Sequence, residues 1–298
     1  MQMQGENAKQ YKILRVFYLS QMRIFATQNR MSSTLFGYRK KTMKILAIGD
    51  IVGTRSVDYL SDRLFLVKNE LGVDFTIANA ENATEIHGVS QKDAEQVLAA
   101  GVDVITLGNH TYGRRDICEL LSGDANIIRP ANYPPLCPGA GHVIVRCCGK
   151  RILCINVLGT AFMEALACPF ATVDNILRDE RGNYDLAILD VHAESTSEKI
   201  ALGRYFDGRI NIVFGTHTHV ATADEQILAG GTGYITDLGM SGPVGGILGT
   251  NASAVIERLR TKMPTRFTVA DGEIKVSGAL FELDCGTGRV TSVRRIKF

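Results

Sequence analysis

"INIVFGTHTHVATAD", residues 210–224, runs from an apolar stretch, Ile210–Phe214, directly into His217 and His219. The apolar run reads as a buried strand, and on an extended chain residues two apart lie on the same side. In a helix the same spacing would separate the side chains by roughly 200° and serve no common site. The chain has only six histidines in 298 residues. Two of them at one strand end are either polar groups satisfied at a turn or ligands converging on a metal.

The same arrangement recurs along the chain. Lys44–Gly49, "KILAIG", ends in Asp50, and Asp74–Asn79, "DFTIAN", ends at Glu81 and Asn82. Asp103–Leu107, "DVITL", ends at Gly108, Asn109 and His110, and Leu186–Asp190 stops just before His192. Between these runs the period lengthens. Val57, Leu60, Leu64 and Val67 mark a helix over 55–70, and Ser90 caps "QKDAEQVLAAG", which Gly101 stops. A further helix is expected over Arg114–Leu121. Downstream, strands are expected at Val143–Cys147, Ile152–Asn156, Tyr234–Thr236, Arg266–Val269, Lys275–Leu283 and Val290–Ile296, with helices near 170–179, 195–204 and 252–261. Alternating strands and helices followed by strand-rich sequence predict an α/β sandwich with mixed sheets.

Ligands of open α/β sheets bind at the carboxyl ends of strands. Singly, each polar residue found there has an ordinary reading as a turn or capping group. Together, strand ends that carry Asp, Glu, Asn and His point to a metal site. Oxygen and imidazole donors without thiolate suit manganese, iron or zinc. The donors are too many for one tetrahedral ion, and Glu81, central in the set, is placed to bridge two. Paired ions clamp the attacking and leaving oxygens of a phosphoryl displacement.

Composition narrows the class. Hydrophobic residues make up 45% and charged residues 21%, as in a globular protein with an ample core. No run approaches the ~20 apolar residues of a membrane helix. Seven cysteines at irregular spacing, with no CxxC pair, read as reduced thiols of a cytoplasmic protein. Residues 1–42 hold eight of the 33 Lys/Arg and one of the 31 acidic residues, which leaves 25 basic and 30 acidic residues in 43–298. That remainder is mildly acidic, so no stable complex with long nucleic acid is expected. The basic segment reads as a poorly ordered N-terminal extension or sequence upstream of a native start at Met43; a transit-like or membrane-surface segment is the other reading.

The ordered set "GD" (49–50), "GNH" (108–110), His192 and "GTHTH" (215–219) resembles the calcineurin-like metallophosphoesterases. More narrowly, "MKILAIGDIVG", "NAENA", "TLGNHT", "RPANYP", "HAESTSEKIALG", "GTHTHVATAD", "YITDLGMSGP" and "RFTVADG" look like the bacterial YmdB-like branch, in order from Met43 to the C-terminus. The resemblance implies a four-layer α/β/β/α sandwich over 43–298 with a centre of two divalent or transition-metal ions, iron or manganese ahead of zinc or magnesium. It implies that Asp50, Glu81 and His219, with Asn82, hold one ion. Glu81 would bridge to a second ion held by Asn109, His192 and His217. His110 would be the proton donor to the leaving oxygen, and a metal-bridging hydroxide would be the nucleophile. The chain departs from the wider superfamily pattern at Val52, where a histidine is usual, and at Glu81, where an aspartate is usual; both departures match the narrower branch. The loop "ENATEIHGVS" has one glycine fewer than that branch and places His87 late, either lining the substrate site or in solvent. Asp190 and Asp237 would orient ligating histidines or cap strands, and Ser195 would cap a helix.

The function so implied is a metal-dependent phosphodiesterase acting on small 2′,3′- or 3′,5′-cyclic nucleotides. The alternatives are a nuclease or phosphomonoesterase on the same scaffold, or a metal-containing regulatory protein with little turnover. The expected partner is a small phosphodiester, with no membrane; self-association into a homo-oligomer stays open.

Overall fold

A computed structural model describes residues 40–123 and 126–298. The extension expected over 1–42 lies outside the described residues except for its last three. Thr42 already belongs to the first strand, one residue before the expected boundary, because it pairs with Asp284.

The strands are β1 (Thr42–Ile48), β2 (Phe75–Asn79), β3 (Val104–Thr106), β4 (Ile127–Ile128), β5 (His142–Cys147), β6 (Lys150–Leu158), β7 (Leu186–His192), β8 (Ile212–Thr216), β9 (Gln226–Ile227), β10 (Gly233–Ile235), β11 (Gly242–Pro243), β12 (Ile274–Lys275), β13 (Ser277–Asp284) and β14 (Val290–Lys297). The helices are α1 (Thr54–Leu71), α2 (Gln91–Ala99), α3 (Ile117–Leu121), α4 (Pro169–Asp179), α5 (Thr196–Tyr205) and α6 (Ala252–Thr261). One six-stranded sheet has the order β14-β13-β1-β2-β3-β4 and a second β5-β6-β7-β8-β10-β9; β11 and β12 form a small ribbon.

Strand alternation sorts the side chains into three apolar layers. In β1, Met43, Ile45 and Ala47 join Ile188 of β7 and Phe214 of β8 between the two sheets. Leu46 and Ile48 turn the other way and pack with Val57, Leu60 and Leu64 of α1 and with Ala94 and Val97 of α2. Ala187, Leu189 and Val191 of β7 face Val173 and Ile176 of α4 and Leu202 of α5. The result is the four-layer α/β/β/α sandwich. Strands buried on both faces read as unbroken apolar runs, which is why they are conspicuous in the sequence.

The local signals explain most ends. Ser90 accepts a hydrogen bond from the Asp93 N–H and Ser195 from the Glu198 N–H, so both cap helices as expected. Gly72 closes α1 in the left-handed conformation. Three expectations are corrected. Arg266–Val269 is no strand and makes only an isolated bridge, Val269 to Thr250; its β-branched and aromatic residues find no neighbouring strand. Lys275–Leu283 divides at Val276 into β12 and β13, which serve different sheets. The helix expected over Arg114–Leu121 begins only at Ile117, because 109–116 are drawn into turns that present Asn109 and His110. The two-residue strands β4, β9, β11 and β12 are too short to carry a period. Among the described residues no helix is long and apolar enough to cross a membrane, and all seven cysteines are unbridged.

Candidate metal centre

Each polar group of the site follows a strand that the core has pinned. Asn79, the last residue of β2, accepts the Glu81 N–H at 3.1 Å and so shapes the turn that carries Glu81 inward. Glu81 is 1% exposed. Its Oε1 lies 3.2 Å from His192 Nε2, and its Oε2 accepts the His110 N–H at 2.9 Å. Gly108 is required beside this pair: a Cβ there would overlap His192 Nε2 and Glu81 Oε2.

His192, the last residue of β7, is completely buried. Its Nε2 faces Glu81 Oε1 at 3.2 Å, Asn109 Oδ1 at 3.1 Å and His217 Nδ1 at 3.1 Å. A ring nitrogen has one proton or one lone pair, so it cannot satisfy three partners by hydrogen bonding. A cation among them can. Donors about 2.1 Å from one ion and at right angles lie about 3 Å apart, close to the spacings found. Glu81, His192 and His217 bring their donor atoms within 4.8 Å of one another and form a group able to hold a divalent metal ion.

The surroundings also fix which nitrogen is free. Thr216 donates its single hydroxyl proton to Asp190 Oδ1 at 2.7 Å, so at 2.9 Å it accepts from His192 Nδ1–H. Nε2 is thereby left for the cluster. Asp190 thus acts on the histidine through Thr216, the kind of outer support that orients metal-binding imidazoles. Around His219, Nδ1 lies 3.1 Å from the Leu248 carbonyl, which can only accept, so Nε2 is the free nitrogen. It lies 4.0 Å from Asp50 Oδ1 and 3.4 Å from Asn82 Nδ2.

The premise that His217 and His219 continue an extended strand is corrected. β8 ends at Thr216, and the two histidines have left-handed backbones, with φ of 97° and 64°. The chain turns sharply, and the rings reach different places: His217 meets His192, and His219 meets Asp50. Asp50 holds the start of this turn, accepting the His217 N–H at 3.1 and 3.3 Å. Asp237 holds its middle by accepting the Thr218 hydroxyl at 2.7 Å, so it fixes the loop and orients no imidazole directly.

The other candidates fall around this core. Asn82 directs its amide oxygen to His110 Nδ1 at 2.9 Å and its nitrogen to Glu81 Oε1 at 3.0 Å. It therefore links Glu81 to His110, and its nitrogen also lies 3.4 Å from His219 Nε2 on the Asp50 side of the site. His110 Nε2 has no hydrogen bond among the described residues. The His87 ring lies 4.2 Å from that of His110 and is exposed to solvent.

Electrostatics follow the burial. Burial lifts the Asp50 carboxyl above its ordinary range, against His219 and His192. Burial works the same way on Glu81, yet His192 and His110 outweigh it and hold Glu81 well below the carboxylate range. Burial would lower His192, but Glu81, Asp50 and Asp190 raise it to about 9. Burial and the neighbouring His192 push His217 down to about 3, which keeps it a neutral donor. Burial raises Asp190 to about 6.

Residues 46–296 match the family described as YmdB-like protein. The chain belongs to this family. It is 41% identical over 254 residues to the 2′,3′-cyclic-nucleotide 2′-phosphodiesterase of Bacillus subtilis, covering 85% of this chain and 96% of that protein. Among solved structures, a hypothetical protein from Thermus thermophilus is similar at 34% identity and a TM-score of 0.81, over 86% of this chain and 99% of that one. A phosphatase from Mycoplasma pneumoniae is similar at 32% identity and a TM-score of 0.81, over 86% and 93%. As a YmdB-like protein the chain is a phosphoesterase.

Sequence reasoning passed over Thr216, Asn79 and Glu194. The first two were legible as polar residues closing apolar strands. Glu194, whose Oε2 lies 3.2 Å from His217 Nε2, followed His192 in "HAE". Lys199, fully buried against Asp237, carried no signal that separates it from a surface helix lysine.

Proposed function

We propose that this YmdB-like protein is a phosphodiesterase that uses two divalent metal ions to hydrolyse small cyclic nucleotides. The observation that carries the reading is His192 Nε2 facing three donors while Nδ1 is committed to Thr216. Asn109, His192 and His217 would hold one ion, Asp50 and His219 the other, and Glu81 would reach both. Neutral nitrogen and carboxylate oxygen favour iron or manganese over a soft metal. Ions bound there would polarise the phosphoryl oxygens and acidify the attacking water.

The protein's own groups do the rest. Glu81 and Asn82 hold His110 by Nδ1, so Nε2 is presented outward, where it can deliver a proton to the leaving oxygen. His87, against the His110 ring, would line the substrate side, and burial together with His110 lowers its pKa. The similarity to a 2′,3′-cyclic-nucleotide phosphodiesterase supports a cyclic phosphodiester as substrate. The acidic balance of 43–298 supports a small substrate over long nucleic acid, and seven unbridged cysteines support a cytoplasmic setting.

The test is metal analysis of the purified protein, followed by turnover on cyclic nucleotides, RNA and phosphomonoesters. Cyclic nucleotides should be hydrolysed with the highest kcat/KM. Preference for RNA or monoesters would move the protein to the nuclease or phosphatase alternative.

A further inference from the structure

Phe162 breaks two rules at once. It is 91% exposed, and its backbone is left-handed with φ of 64°, an outlier for a bulky residue. Among the described residues its ring stacks on no other ring. Such strain persists only where the surroundings impose it, and it concentrates at functional sites.

Here the surroundings do impose it. Phe162 tips the loop that follows β6, and both sides of that loop are clamped to the segment His192–Glu198. The Gly159 N–H donates to the His192 carbonyl at 2.9 Å. The Glu198 carboxylate accepts the Thr160 N–H at 3.0 Å, the Thr160 hydroxyl at 3.1 Å and the Ala161 N–H at 3.2 Å. On the far side, the Glu194 N–H approaches Met163 Sδ at 3.3 Å, and Met163 packs inward against the core behind the second sheet. With Met163 held in, Phe162 is held out. Glu194 also touches His217 Nε2, so the exposed ring is carried by a loop fastened beside the metal cluster.

We propose that Phe162 is the stacking platform for the nucleobase of the substrate, a recognition element separate from the phosphate-handling centre. The proposal rests on the phosphoesterase reading of that centre. A fixed aromatic face on the loop that leaves β6 beside His192 suits a nucleobase, and stacking on it tolerates all four bases because each has a π-face.

The test compares Phe162→Ala with the unsubstituted enzyme on 2′,3′-cyclic AMP and on 1-O-methylribose 2′,3′-cyclic phosphate, which lacks the base. On the nucleotide kcat/KM should fall roughly 5- to 150-fold, mainly through KM, with the abasic compound unaffected. Phe162→Trp should restore the nucleotide rate. The chain has no tryptophan, so that variant also gives a single, selectively excitable tryptophan, whose emission adenosine 3′-monophosphate should quench and ribose phosphate should not. Equal losses on both compounds would overturn the platform. So would unchanged kinetics accompanied by dissociation of an oligomer, which would assign the ring to a subunit contact. If the unsubstituted enzyme, loaded with metal, is inert on both compounds, the cyclic-nucleotide reading fails first and the platform with it.

Discussion

Lys199 Nζ lies 2.7 Å from Asp237 Oδ2, with both side chains 1% exposed, and the same oxygen accepts the Thr218 hydroxyl between His217 and His219. A buried ion pair is thus the strut of the strained turn that presents both histidines. Breaking such a pair leaves an uncompensated buried charge, so Lys199→Met should cost about 3–5 kcal/mol of stability. Adding Asp237→Asn should recover much of that loss. Denaturant unfolding of the two variants, with metal content, checks this; a single variant as stable as the parent would deny the strut.

Thr216 should matter for metal affinity more than for the fold. Thr216→Val keeps the volume and removes the acceptor of His192 Nδ1–H. Loss of such outer support typically weakens metal binding about 10- to 100-fold. Competition against a chelating dye measures it, with circular dichroism as the control. Affinity within about threefold of the parent, well short of that range, would contradict the tautomer argument.

The metal-free protein should lose stability as pH rises from about 6.5 to about 9. His192 titrates near 9 in the folded protein against about 6.5 unfolded. A raised pKa gives stability that is complete below the unfolded value and lost on passing upward through the folded one. The shift corresponds to about 3 kcal/mol. His217, near 3, and Asp190, near 6, act at lower pH; Asp50, raised by burial, adds a loss of the same sign, so the Glu81 variant is what isolates the His192 contribution. Denaturant midpoints of chelator-treated protein across the window provide the measurement, and Glu81→Gln should flatten the slope because Glu81 is the main group holding His192 up. A flat profile in the parent protein would refute the assignment.

His110→Ala separates proton donation from metal binding. A ribose alkoxide leaves poorly, so cyclic nucleotide hydrolysis should fall roughly 10²–10⁴-fold. A nitrophenolate leaves well without a proton, so an aryl phosphodiester should suffer far less. Equal losses, with metal depleted, would make His110 a ligand instead.

A chain beginning at Lys40 should fold and turn over normally, since no group of the cluster precedes Asp50. Beginning at Met43 removes the Thr42–Asp284 pairing and the bond from the Cys285 N–H to the Lys41 carbonyl, and should lower the midpoint slightly. Insolubility of the longer of these would show that residues before Lys40 belong to the domain.

The layers and the chemistry were legible in the primary structure. Double-sided burial writes β1, β2, β7 and β8 as apolar runs, and a functional strand end writes Asp50, Glu81, Asn109, His192, His217 and His219 as polar residues that stop those runs. Both signals are local, so they survive without coordinates. How the donors are shared and held emerged from the folded arrangement alone. His217 and His219 diverge because their backbones are left-handed, and nothing in "GTHTH" says so, since that conformation is imposed by Asp50, Lys199 and Asp237 from elsewhere in the chain. Asn82 serves His110 for the same reason, and Thr216 selects the His192 tautomer only because Asp190 takes its proton. Such partners depend on distances across two sheets, and the spacing of residues along one strand does not encode them.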